Sequence, residues 1–227
     1  MECGSGRVVL QHTYKDSKIA AIQVSSDEQL LAVGVFGGEL AVWDLNSASR
    51  IARRDDFVWL GNPGWIGMTQ TLAFSKDGRK LAYAALDHSI GIIHSTGGLE
   101  DERIHLEQDR TCCALSMDSL GTVIFAEYNH YQPFYLSRWS SGQEIVQRLF
   151  TGTGMNVEEI VINEERDELW VNHSPRVEIR KYSTAELIKL YDPYLWKYSR
   201  FIRNNAVSIS GQASLAAISH EGKIRLG

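Results

Sequence analysis

Residues 22–45 read Ile22-Gln23-Val24-Ser25-Ser26-Asp27-Glu28-Gln29-Leu30-Leu31-Ala32-Val33-Gly34-Val35-Phe36-Gly37-Gly38-Glu39-Leu40-Ala41-Val42-Trp43-Asp44-Leu45. A short alternating run stops at Ser-Ser-Asp-Glu. A small-residue apolar run follows and stops at Gly37-Gly38. A third alternating run ends in Trp43-Asp44. Alternation sets the faces of a strand, and Asp, Ser and Gly supply the backbone freedom of a turn. The stretch therefore predicts three short strands joined by two hairpins. With Arg50 to Arg53 as a fourth strand after the Asn46–Ser49 turn, it makes a four-stranded meander.

The pattern recurs. After an insert from Asp55 to Thr69, a second unit places strands over 70–74, 81–86, 90–93 and 103–106, with turns at Ser75-Lys76-Asp77-Gly78 and Asp87-His88. Leu31-Ala32 aligns with Leu81-Ala82, and Ile93-His94 stands where Trp-Asp would be. A third unit predicts strands over 111–116, 123–128, 134–139 and 144–149, with Trp139-Ser140 at the Trp-Asp position. A fourth predicts 159–163, 168–172, 177–180 and 186–190. A fifth has only three: 206–210, 215–219 and 223–226. Equivalent positions (Val24, Phe74, Leu115, Ile162, Ile209) are about 41 to 50 residues apart.

The first unit resembles the WD-repeat family: the turn before Leu30-Leu31-Ala32, the Gly-Gly hairpin and the terminal Trp43-Asp44 fall in that family's order. The resemblance implies an all-β fold, a β-propeller of four-stranded antiparallel blades, as one domain over residues 1–227. It also implies about five blades, with a first strand near 7–13 completing the last one. A fragment of a larger ring fits the same pattern, and the two readings stay open. The Leu-Ala-Val-Gly and Leu-Ala-Tyr-Ala cores look like those in the WD-repeat tails of NACHT-type signalling ATPases.

Composition bounds the function. A net charge of −5 disfavours nucleic acid as a partner, since that footprint needs a basic face. Three cysteines, of which Cys112 and Cys113 are neighbours pointing to opposite faces of a strand, fit a reducing compartment. No apolar run approaches a membrane span, and no signal-peptide core opens the chain. The expectation is a soluble cytoplasmic protein.

No Walker loop, Gly-x-Ser-x-Gly elbow or His-Glu-x-x-His is present. Gly152-Thr153-Gly154 lacks the helix of a phosphate loop. His88 and His94, the close histidine pair of one hairpin, have no cysteine neighbours, so neither metal nor cofactor is implied. The acidic pairs Asp55-Asp56, Glu158-Glu159 and Glu164-Glu165 sit at turns and strand entries, where carboxylates meet water. The reading is a non-catalytic scaffold that binds a protein or peptide. The alternative is a propeller-fold hydrolase with acids or His at the channel mouth. Two connectors are candidate partner-binding segments: the insert holding Trp59 and Trp65, and Tyr191 to Arg203, where Tyr194, Trp196 and Arg200 interleave aromatic and basic groups.

Overall fold

In a computed structural model of the chain, residues 10–14, 19–36, 38–57, 71–95, 102–107, 110–129, 132–152, 157–173 and 176–191 are described, with the backbone alone for Gln132, Tyr191 and three last strands. Five antiparallel sheets follow one another along the sequence, each a simple meander. The first holds β1 (Ile19–Val24), β2 (Leu30–Val35), β3 (Leu40–Asp44) and β4 (Ser49–Arg54); the second holds β5 (Leu72–Phe74), β6 (Lys80–Ala85), β7 (Ser89–His94) and β8 (Glu102–His105). The third holds β9 (Thr111–Met117), β10 (Thr122–Asn129), β11 (Gln132–Ser140) and β12 (Gln147–Gly152). The fourth holds β13 (Glu159–Asn163), β14 (Glu168–His173), β15 (Arg176–Lys181) and β16 (Leu187–Tyr191), and the fifth β17 (Val207–Ile209), β18 (Ala216–His220) and β19 (Lys223–Leu226).

The first strands of successive sheets lie side by side: β1 by β5, β5 by β9, β9 by β13. This is the arrangement of propeller blades. Consequently the core is a series of layers between blades. Ala32, Leu40 and Val42 of the first blade meet Leu72, Phe74, Leu81 and Ile93 of the second. Ala82, Ala84, Ile90 and Ile92 meet Leu115, Met117, Phe125 and Trp139 of the third. Ala126, Phe134 and Leu136 meet Ile160, Leu169 and Val171 of the fourth. The middle strands of the second and third blades are buried on both faces, which explains sequences such as Leu81-Ala-Tyr-Ala-Ala85 that are apolar throughout.

The turn between the first and second strands is built twice in the same way. Ser25 Oγ donates to Asp27 Oδ1 at 2.6 Å, and Ser75 Oγ to Asp77 Oδ1 at 2.7 Å. The aspartates accept from the Gln29 and Arg79 amides, the serines from the Leu30 and Lys80 amides. These short side chains satisfy the turn's backbone donors. These bonds hold the Asp27 and Asp77 carboxyls below the usual range, the serine hydroxyl contributing most. Neighbouring turns also touch: Ser26 Oγ donates to the Lys76 carbonyl, and Ser119 Oγ to Glu164 Oε1 at 2.6 Å.

One expected strand needs correction, and another is only partly described. Of the strand expected near 7–13, residues 10–13 run as irregular backbone, and 7–9 lie outside the described residues. Leu10 and Tyr14 pack instead on Val33, Val35, Ala41 and Trp43, and the Trp43 indole donates to Tyr14 Oη at 3.3 Å. The last strand of the third blade runs 147–152, not 144–149. Glu102 of the preceding blade takes the Gly142 amide at 2.7 Å and the Ser141 hydroxyl, and the Trp139 indole donates to the Gln143 carbonyl at 2.8 Å. Those bonds hold a wider turn and delay the strand.

Candidate interaction face

At one end of the blades lie the connectors from each outer strand to the next inner strand, together with the hairpins between second and third strands. The insert after β4 leaves the first blade through a fixed stem. Phe57 is buried in a notch left by Gly34, and its amide donates to the Gly38 carbonyl at 2.8 Å. It also bridges to Ala85 of the second blade. Asp56 accepts from Arg103 Nη2 at 2.6 Å, and the same nitrogen donates to Tyr83 Oη at 2.8 Å. Arg103 Nη1 meets Asp87 at 3.2 Å. Burial pulls the Arg103 pKa down, but its hydrogen bond with Asp56 and the flanking acids more than offset this and raise it. At the far end of the insert, Thr71 is buried and its carbonyl accepts from the Ala84 amide at 3.2 Å. Both feet of the insert are thus bolted to the second blade, one by charge and packing, one by backbone.

The next connector is held differently. The Tyr135 ring lies between two guanidinium groups, Arg110 and Arg148, each with Cζ 3.6 Å from the ring centroid. Glu107 pairs with both, at 3.5 Å and 3.0 Å. Below them Glu127 is buried and accepts from Ser137 Oγ at 2.8 Å. Burial pushes its carboxyl up, against the pull of that hydroxyl and of the two arginines. On the fourth blade, buried His173 stands 3.0 Å from Glu178, which also accepts from Arg180 Nε at 2.7 Å. Arg180 in turn lies 3.5 Å over the Phe150 ring.

These groups brace connectors. Asp55 pairs with Arg53, Asp56 with Arg103 and Glu164 with Ser119, so these three carboxylates are engaged in holding the fold. His88 and His94 sit at opposite ends of β7, roughly 20 Å apart by strand rise. His88 Nδ1 lies 2.9 Å from the Arg110 carbonyl. Among the described residues no three of His, Cys, Asp and Glu are placed to hold a metal. Cys112 and Cys113 face different layers, as alternation predicts, and burial pushes both thiols up, Cys113 to about 12. Such thiols are poor nucleophiles. A cleft of about 270 Å³ at the opposite end of the blades is lined by Ser75, Asp77, Lys80, His94 and Ser119. Its charged groups are taken up by the turns: Asp77 by Ser75, Lys80 by Ser141.

The five residues proposed from sequence as partner-binding, Trp59, Trp65, Tyr194, Trp196 and Arg200, lie outside the described residues. Sequence reasoning missed the Asp56–Arg103–Tyr83 clamp. Gly91 was its one signal: a Cβ there would collide with the Tyr83 ring.

No protein-family model matches the chain, and no curated protein matches it in sequence. Solved structures do. The β-propeller domain of Cps50 (Swd1) from Myceliophteria thermophila superposes with a TM-score of 0.64 at 14% identity, over 95% of this chain and 66% of that one. A chain of a mitotic checkpoint complex gives 0.65 at 14%, over 92% and 61%. The chain spans about two thirds of the length of these neighbours. Among the described residues no helix is long and apolar enough to cross a membrane. The described sheets, their layered core and these neighbours agree: the chain has the fold of a β-propeller with four-stranded antiparallel blades.

Proposed function

We propose that this chain is a non-catalytic interaction scaffold of the WD-repeat type, acting in the cytoplasm. Its partner is a protein or peptide, received on the connectors at the end of the blades where Asp56 and Arg103 meet. The observation that carries this reading is the double anchoring of the insert at residues 55–57 and Thr71. Fixing both feet meets in advance the entropy of bringing the ends of the insert together, so that part of the ordering cost is not charged to binding. That insert carries Trp59 and Trp65, and tryptophan is enriched among the residues that dominate binding. The later connector contributes Tyr194, Trp196 and Arg200. One of the similar structures is itself part of a multi-protein complex, which is the company a rigid scaffold keeps.

The test is affinity capture with the intact chain beside Trp59→Ala/Trp65→Ala and Tyr194→Ala/Trp196→Ala/Arg200→Ala variants, each checked for an unchanged melting temperature. Loss of the same prey by either variant supports the reading. Identical prey from all three removes these connectors from the role.

A further inference from the structure

The turns between first and second strands stand at the end of the blades opposite the connectors. Register makes them equivalent: Val24 pairs with Leu31, Phe74 with Leu81, Met117 with Val123 and Ile162 with Leu169. Neighbouring turns touch between the first and second blades, through Ser26 and Lys76, and between the third and fourth, through Ser119 and Glu164. Between the second and third blades the described turns share no hydrogen bond, and the cleft of about 270 Å³ stands there instead. The charge of these turns is uneven. The first blade's turn carries Asp27 and Glu28 with no base, and the fourth's carries Glu164, Glu165 and Asp167 against Arg166. The second blade's turn reverses this, with Lys76, Arg79 and Lys80 against Asp77, in a chain of net charge −5. Asp77 is occupied by the Ser75 hydroxyl and the Arg79 amide, and Lys80 by Ser141 and, at 3.7 Å, Glu102. Lys76 is exposed and has no ion pair among the described residues. The Arg79 side chain is 82% exposed and, among the described residues, meets only Asp77, at 3.8 Å. Across the cleft the third blade supplies apolar surface. Leu120 is 85% exposed, and Ile145, in the turn whose Ser141 receives Lys80, is 78% exposed.

We propose that this end of the second and third blades is a docking surface for an acidic segment of a partner protein. Its carboxylates meet Lys76 and Arg79, and an aliphatic side chain beside them rests on Leu120. Charge complementarity selects the acid, because these two cations have the least carboxylate of their own. The exposed leucine selects a protein segment, which can set an aliphatic side chain on it, over the phosphates and sugars of a nucleic acid. Exposed ion pairs are individually weak and are screened by salt, so the contact is reversible and salt-dependent. The surface lies at the opposite end of the blades from the connectors, and the proposal does not rest on the partner assigned to them.

The test follows the backbone amide resonances of the intact chain as the peptide Gly-Glu-Asp-Glu-Leu-Leu-Gly is added at low salt. Shifts are expected over residues 76–80 and 119–121, with a Kd between ~10 µM and ~1 mM that weakens ~threefold or more from about 50 to about 300 mM salt. Lys76→Glu with Arg79→Glu is expected to weaken binding at least ~tenfold, and Leu120→Ser ~threefold, both at an unchanged melting temperature. No shift at these turns overturns the proposal, as does an equal response to the same peptide with Gln and Asn in place of its acids. Equal saturation by inorganic phosphate overturns it too, leaving an anion site only, and so does tighter binding of a single-stranded oligonucleotide. Binding that the charge reversal leaves intact also counts against it. A melting temperature lowered by that reversal overturns it as well, because the cations then serve the fold of their own chain.

Discussion

The Phe57 ring occupies the space that a side chain on Gly34 would need. The same relationship recurs between Tyr83 and Gly91 and between Phe134 and Gly152. Each glycine lets an aromatic lie flat across a neighbouring strand. Gly34→Ala is expected to lower stability by ~1–3 kcal/mol through overpacking, read as a lower urea midpoint with unchanged slope. Phe57→Ala in the same chain is expected to leave Gly34→Ala nearly silent, because the obstacle is gone.

Glu28 adopts φ 59°, and Gly78 adopts φ 68° at the equivalent turn position. A side chain in this left-handed region costs ~1–2 kcal/mol, and glycine escapes that cost while losing more freedom on folding. Glu28→Gly is expected to raise stability slightly, by up to ~1 kcal/mol, whereas Gly78→Glu is expected to lower it. Thermal melts of the two variants check both signs.

Arg103 holds Asp56, Tyr83 and Asp87 together at the foot of the insert. Arg103→Ala removes one donor from the buried Tyr83 hydroxyl and from the Asp56 carboxylate. The expected cost is ~1–3 kcal/mol, seen as a lower melting temperature. If the insert is the binding element, the same substitution weakens capture of its partner with Trp59 and Trp65 intact.

Buried Glu127 and half-buried Glu178 are expected to give opposite pH dependences. Burial raises the Glu127 carboxyl above its unfolded value, so its contribution is present at acid pH and is lost as pH rises through the folded value. Burial also pushes Glu178 up, but hydrogen bonds from His173 and Arg180 more than offset it and leave its carboxyl lowered. That contribution is present above the unfolded value and is lost as pH falls through the folded one. Relative to wild type, Glu127→Gln is expected to gain stability as the pH rises above the ordinary glutamate range, and Glu178→Gln to lose it as the pH rises toward that range from below. Urea midpoints at several pH values measure both slopes.

The strands were legible because alternation and turn chemistry are local. Ser25-x-Asp27 and Ser75-x-Asp77 each mark a turn whose hydrogen bonds close within six residues. What local pattern does not carry is contact between distant segments. The clamp joins Asp56, Tyr83 and Arg103 from three elements, and nothing near Phe57 announces that Gly34 will receive it. The delayed strand at Gln147 follows from Glu102, on another blade. The braces of the candidate face were hidden for this reason, while Trp59 and Trp65 stood out by residue type alone.

Layers shared by two blades have a consequence for how this protein is cut, spliced or inherited. A single sheet lifted out would carry half a layer on each side, wet and unmatched. A viable deletion must therefore join faces that already fit. Ala32, Leu40 and Val42 would have to accept what Ala82, Ala84, Ile90 and Ile92 accepted before. Their likeness, small residues on one strand and aliphatics on the next, makes the blades interchangeable parts.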